Sequence, residues 1–147
     1  MGKITEENQR ILEEIEEFDP KMLTGMVEYT FCEELDKMIV EKGYSTQKIV
    51  NQSCLSKAYI NKLRNRSEKK ARPSRNAVID IALALDASLD ETNLLLKCAK
   101  YQELYTRNPA EAIIIWGLLK KKTGKEIREM LDARGYLNQL FFERDRK

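Results

Sequence analysis

The chain has 147 residues, of which 42% are hydrophobic and 34% are charged, which is enough apolar content for one domain with a core. It contains no histidine, which excludes Ser-His-Asp and Cys-His catalysis and histidine-ligated metal sites. The net charge is only +2, but residues 1–42 carry −7, residues 43–75 carry +8 and residues 76–147 carry +1. The basic block is a first indication of a nucleic-acid partner, and a solvated charged face is the alternative.

The cysteines and the apolar runs indicate where such a protein works. Cys32, Cys54 and Cys98 form no Cys-x-x-Cys pair and are odd in number, which is typical of reduced thiols in a cytosol. The longest apolar run, residues 112–119, is about half of the roughly 18 residues that span a bilayer. The N-terminal residues turn acidic and lack the apolar stretch of a signal peptide. We therefore expect a cytoplasmic protein without a membrane partner.

Helical spacing of apolar residues dominates the chain, so the sequence predicts an all-α fold. The predicted helices are 5–18, 27–42, 46–53, 57–65, 74–85, 89–100, 109–122 and 125–134. Ser45 and Ser56 are expected as N-caps, Gly43 at a C′ position and Pro109 at the first position of its helix.

The first predicted helix, 5–18, is acidic and amphipathic. Its glutamates lie opposite an apolar stripe that consists of Ile4, Ile11, Leu12, Ile15 and Phe18. A single helix cannot bury such a stripe alone. Two alternatives follow: the helix packs on the rest of the chain, or it pairs with a second copy.

The last two predicted helices look like a repeat of the pair before them. A shift of 35 residues places residues 77–79 on 112–114, Ser88 on Thr123 and Glu91 on Glu126. A real repeat predicts a second helix pair that stacks on the first, and the alternative is a chance likeness of two amphipathic hairpins. The apolar tail 137–142 is expected to be docked, either on its own chain or in a dimer.

One 20-residue stretch has the spacing of a DNA-binding motif. Residues 46–65 read TQKIVNQSCLSKAYINKLRN, and their apolar positions allow two short helices to cross around a shared core: Ile49, Val50, Leu55, Ile60 and Leu63. The stretch resembles the helix-turn-helix of the phage-repressor-like regulators, the xenobiotic-response-element family. The resemblance covers residues 29–100 and implies a five-helix DNA-binding domain. It leaves residues 1–28 as an acidic helix with a linker and residues 101–147 as a helical extension.

Two features depart from the family pattern. Cys54 occupies the turn position where the family usually has a glycine in the left-handed region, so the turn is either reshaped or strained. The loop before Pro73 is also slightly longer than in many relatives.

The resemblance implies that helix 57–65 enters the DNA major groove. Its outward residues would contact bases: Lys57, Ala58, Asn61 and Lys62. Lysine can donate to guanine, asparagine can bind adenine and alanine can contact the thymine methyl group. For the two lysines, phosphate contact or plain solvation is the alternative. The residues expected at phosphates are Thr46, Gln47, Ser56, Tyr59, Arg64, Asn65, Arg66, Lys69, Lys70, Arg72 and Arg75. For Tyr59, packing in the core is the alternative.

These expectations favour a sequence-specific regulator of double-stranded DNA, a dimeric repressor that is bacterial or phage-encoded and associates with the nucleoid in the cytoplasm. The dimer would form through the acidic helix or the C-terminal extension. The alternative is an interaction protein with the same fold, an antitoxin-like or defence-system accessory subunit that uses one of these segments to bind a protein. No glycine-rich phosphate loop or carboxylate pair supports an enzyme, and we expect no cofactor and no metal.

Overall fold

The computed structural model describes Gln9, residues 30–64 and residues 73–141. These residues form eight helices and no strand, which confirms the all-α prediction for the described part of the chain. The helices are α1 (Thr30–Lys42), α2 (Thr46–Gln52), α3 (Lys57–Arg64), α4 (Arg75–Ala84), α5 (Leu89–Cys98), α6 (Pro109–Leu119), α7 (Gly124–Ala133) and α8 (Leu137–Leu140). Apart from Gln9, which is helical and exposed, the predicted helix 5–18 lies outside the described residues.

The first three helices form around a small apolar centre. α1 is followed by Gly43, whose φ of +69° is the left-handed conformation that glycine adopts at least cost, and the Tyr44 N–H then bonds the Ile39 carbonyl. Ser45 caps α2 by accepting from the Lys48 N–H at 3.1 Å. The side chains at the centre are fully buried: Leu35, Ile39, Ile49, Ile60 and Leu63.

The next four helices pack in a closed ring. α4 packs on α5, α5 on α6, α6 on α7 and α7 back on α4. The first three helices lie against one part of this ring, because α1 contacts α5, α2 contacts α4, and α3 contacts α1 and α2. The second hairpin, α6–α7, is therefore packed on the same core as the first hairpin, α4–α5.

The two hairpins have matching helix ends. α7 begins and ends 35 residues after α5 begins and ends. Each of these helices starts with a capping box, in which a hydroxyl and a glutamate exchange bonds with the backbone: Ser88 with Glu91, and Thr123 with Glu126. These backbone bonds lower the pKa of Glu126.

The connections inside the two hairpins match as well. Asp86 and Lys121 stand at equivalent positions and have φ values of +53° and +58°. Equivalent backbone bonds close the two connections: Ala87 N–H to Ala82 O, and Lys122 N–H to Gly117 O. Agreement of this kind at one constant offset is what an internal repeat predicts.

The two hairpins approach most closely where α7 begins. A side chain at Gly124 would place its Cβ 1.9 Å from the backbone oxygen of Leu83, so this crossing has room for glycine alone. Beside it, Asp86 accepts from the Gly124 N–H and from the Tyr44 hydroxyl, each at 2.7 Å. The hydrogen bond to Asp86, together with partial burial, raises the pKa of Tyr44 to about 12.

The chain turns back on itself at its described C-terminal end. Leu140 and Phe141 are buried, α8 packs on α7, and the Arg128 guanidinium lies 4.8 Å from the centre of the Phe141 ring. The predicted docking of this tail therefore occurs within its own chain, for the residues up to 141. Phe142 lies outside the described residues.

Two smaller points bear on the remaining expectations. Among the described helices, none has the length and apolar character needed to cross a bilayer. Pro109 opens α6, where Asn108 caps the helix by accepting from the Glu111 N–H at 3.1 Å.

Candidate nucleic-acid interface

The stretch 46–65 folds into two short helices as its spacing predicts, up to the last described residue, Arg64. α2 and α3 pack against each other and are joined by residues 53–56. Val50 is half-buried, and the other four apolar positions of the stretch are buried: Ile49, Leu55, Ile60 and Leu63. This packing commits one side of α3 to the core and leaves the other side outward.

The outward side of α3 consists of the four residues expected to contact bases. All four side chains are exposed, at helix positions that share one side: Lys57, Ala58, Asn61 and Lys62. We call this surface the α3 face. α3 has no acidic residue, so the α3 face carries two lysine charges on a helix without a carboxylate. Such a face suits a polyanionic partner.

Arg64, at the end of α3, has internal partners. Its Nη2 lies 2.6 Å from Oδ1 of Asp36 on α1, and its Nη1 donates to the Thr46 hydroxyl at 3.2 Å. The arginine therefore ties α3 to both α1 and α2. Arg64 and Thr46 were both expected at phosphates, and the structure places them in contact with each other.

Arg75 is more fully engaged. Its guanidinium makes two bonds to the buried carboxylate of Glu111, at 2.5 and 2.9 Å, and donates to the backbone carbonyls of Gln102 and Glu103. These bonds join the start of α4 to the start of α6 and to the segment between the hairpins. A phosphate contact here would compete with an internal carboxylate, which leaves Arg75 out of the interface that we propose below.

The other residues expected at phosphates are placed as follows. Ser56 is buried, and its hydroxyl accepts from the Tyr59 N–H at 3.1 Å, which is the predicted capping role. Tyr59 is half-buried against the core. Gln47 is exposed on α2, where its amide donates to Asn51 at 2.9 Å. Five of the expected residues lie outside the described part of the chain: Asn65, Arg66, Lys69, Lys70 and Arg72.

Sequence reasoning missed the group that holds the connection between α2 and α3. Asp80 on α4 is 2% exposed, and its Oδ2 accepts from the Cys54 N–H at 3.1 Å. The same carboxylate forms an ion pair with Arg128 of α7. A buried carboxylate needs such a partner, because isolated charge is costly in the interior. The connection is thereby tied to the second hairpin.

The backbone conformation of Cys54 excludes the strained turn that was one of the two alternatives from the sequence. Among the described residues with positive φ, glycines aside, are Asp86, Lys100 and Lys121, and Cys54 is not one of them. The Cys54 N–H is directed to Asp80, and no left-handed strain arises at the cysteine.

The shifted pKa values of Cys98 and Glu91 arise from burial and from contacts within the chain. All three cysteines are reduced thiols, and burial, with the nearby Glu34 carboxylate, raises the pKa of Cys98 to about 12. Burial works against ionisation of Glu91, but bonds from Ser88 and from Lys42 outweigh it and lower the pKa of Glu91. Within residues 30–64 and 73–141, no cluster of acidic and cysteine side chains is placed to hold a metal ion.

Comparisons with protein-family models, with curated proteins and with solved structures give no match to this chain.

Proposed function

We propose that the protein is a sequence-specific DNA-binding regulator whose α2–α3 pair acts as a helix-turn-helix. The observation that carries the proposal is the division of α3 into two sides. Its apolar residues are buried, and the residues able to hydrogen-bond bases or contact a thymine methyl group are together on the exposed α3 face. An α-helix with one polar, cationic side fits the width of the major groove.

The distribution of charge along the chain also supports the proposal. The sequence that directly follows α3, residues 65–72, contains four basic residues and one acidic residue. Lys48 adds a further exposed cation on α2, where its Nζ lies 4.1 Å from the centre of the Tyr44 ring. Contacts of these cations with phosphates would make binding weaken steeply as salt rises.

Binding of DNA by a dimer fits this proposal better than binding by a single chain. A single unit of this size buries a modest area on DNA, so regulators of this kind usually place two recognition helices in half-sites about 34 Å apart. We therefore propose a dimeric repressor. The mass of the complex on a selected duplex, measured by light scattering, gives the number of chains bound.

The test is fluorescence anisotropy with labelled duplexes over a range of salt concentrations. We compare Lys57→Ala/Lys62→Ala on the α3 face with the matched control Arg107→Ala/Arg134→Ala, which removes the same charge from exposed arginines outside the α3 face. The first variant is expected to weaken binding about tenfold or more, and to lower the log–log salt slope by about 0.9 for each lysine that contacts a phosphate. The control is expected to bind nearly as the natural chain does.

Three results would contradict the proposal: absent DNA binding, salt-independent binding, or equal losses in the two variants. The first would favour the alternative in which the main partner is a protein.

A further inference from the structure

α6 has two apolar sides, and the core uses one of them. Ala110, Ile114 and Gly117 are buried against the rest of the chain. A second set stands at i, i+3, i+4 and i+7 on the other side, and we call it the outer stripe: Ala112, Ile115, Trp116 and Leu119. Trp116 is 47% exposed and Leu119 is 63% exposed, whereas Ala112 and Ile115 are half-buried, so the described residues leave the C-terminal part of this stripe uncovered.

The first hairpin shows how its own equivalent of this stripe is used. The residues 35 positions earlier in α4 are all buried: Ala77, Asp80, Ile81 and Ala84. α2 and the connection that follows it cover part of them, since the Gln52 amide donates to the Ala84 carbonyl at 2.7 Å and the Cys54 N–H reaches Asp80. On the first hairpin, α2 from the N-terminal side of the chain therefore covers part of the equivalent stripe, and α7, whose Arg128 pairs with Asp80, covers another part.

Lysines follow the C-terminal end of α6, where the outer stripe ends. Lys122 Nζ lies 5.9 Å from the centre of the Trp116 ring. We call Lys120, Lys121, Lys122 and Lys125 the lysine cluster. Two copies joined through this stripe with their α6 helices parallel would bring two such clusters together, which is unfavourable. An apolar helix with acidic flanks would be attracted instead.

The chain outside the described residues contains one segment of that kind. Residues 65–72 and 142–147 each carry a single apolar side chain. Residues 1–29 carry a net charge of −5, with an apolar stripe that includes Ile11 and Ile15 and glutamates on the opposite side. The predicted helix 5–18 would be about 21 Å long, and α6 is about 16 Å long, so their stripes match in length.

The connection is also long enough. α1 begins at Thr30 and packs on α5, which packs on α6, so two helix spacings, about 20 Å, separate α1 from α6. Residues 19–29 reach up to about 36 Å when extended.

We propose that the acidic N-terminal segment of the same chain covers the outer stripe of α6, with Ile11 and Ile15 against Trp116 and Leu119. The glutamates that flank the stripe, Glu7 and Glu14, then lie beside the lysine cluster. This inference does not depend on DNA binding. It places the most acidic part of the chain on α6, which packs on α5 and α7, whereas the α3 face belongs to a helix that packs on α1 and α2.

Trp116 is the single tryptophan, so its fluorescence reports on this surface without a label. Acrylamide quenching is measured on the full-length chain over a hundredfold range of concentration. The variant Ile11→Gln/Ile15→Gln removes the apolar contact, and Glu13→Gln/Glu17→Gln is the matched control on the opposite side of the segment. The quenching constant is expected to rise about threefold in the first variant and little in the control, because a covering helix removes most of the exposure of Trp116.

A second variant approaches the contact from α6. Leu119→Lys is expected to expose Trp116 as Ile11→Gln/Ile15→Gln does. If Leu119 stayed uncovered, this substitution would leave quenching unchanged, and the proposal would fail. Circular dichroism checks that each variant keeps its helices.

Two further results would overturn the proposal. One is an equal quenching constant in the natural chain, in Ile11→Gln/Ile15→Gln and in Leu119→Lys. The other is protection of Trp116 that appears only as a dimer forms, because then a second copy covers the stripe.

Discussion

Replacement of Arg128 by methionine tests the link between the second hairpin and the α2–α3 connection. Arg128 is the partner of Asp80, a carboxylate that is 2% exposed and that also holds the Cys54 N–H. Methionine keeps an apolar stem beside Phe141 but removes the charge. Breaking a buried pair in this way costs about 3–5 kcal/mol, because the remaining charge has lost its counter-ion.

The expected change in melting temperature follows from the chain length. About 2.1 cal/mol/K per residue gives 147 residues an unfolding entropy of about 310 cal/mol/K at the midpoint, so Arg128→Met should lower Tm by about 10–16 °C. Thermal and urea unfolding, followed by circular dichroism, measure this loss. Hydrogen exchange of the Cys54 amide should also become faster, since its acceptor is no longer held in place.

Two further variants make the result specific. Arg134→Met changes an exposed arginine just after α7 and should alter stability by no more than about 0.5 kcal/mol. Asp80→Asn/Arg128→Met removes both charges and keeps an acceptor for Cys54, so it should recover part of the loss. The reasoning is refuted if Arg128→Met lies within about 1 kcal/mol of Arg134→Met.

Three other predictions concern single contacts. Gly124→Ala should destabilise the fold by about 2 kcal/mol or more, because its Cβ would meet the Leu83 oxygen at 1.9 Å, and an unchanged urea midpoint would contradict the close crossing. Tyr44→Phe should cost less than about 1 kcal/mol at this exposed site. The hydrogen bond to Asp86 raises the pKa of Tyr44 to about 12. The stability that this bond contributes is therefore complete below pH 10 and is lost as the pH rises to 12. Between these pH values the natural chain should lose more stability than Tyr44→Phe does. Asn61→Ala should relax base preference at one position of a selected duplex, at a cost of about 1–3 kcal/mol, and unchanged preference would remove Asn61 from base contact.

The helices could be predicted from the sequence because their signals are local. Apolar spacing and caps located α2, α3 and the two hairpins, with the predicted ends up to three residues beyond the observed ones. The cap at Ser45, the glycine at position 43 and the proline at position 109 take their expected places, since each acts within its own turn of backbone. The short helix α8 was expected only as a docked apolar tail.

The partners of charged residues could not be predicted, because they depend on contacts between distant parts of the chain. Arg64 and Arg75 look like phosphate ligands in a basic stretch, yet the structure pairs them with Asp36 and Glu111. Asp80 did leave a signal: it is the single carboxylate in an apolar run. That signal predicts a buried partner but does not identify Arg128, which is 48 residues away.

The most direct measurement of the central claim is selection of bound duplexes from a random pool by the full-length chain. If the α3 face binds the major groove in a dimer, the selected pool will contain two related half-sites about one helical turn, roughly 10 base pairs, apart. The Lys57→Ala/Lys62→Ala variant will then fail to enrich that motif, while Arg107→Ala/Arg134→Ala will enrich it. A pool without any common motif, or the same motif from the α3-face variant, would contradict the claim.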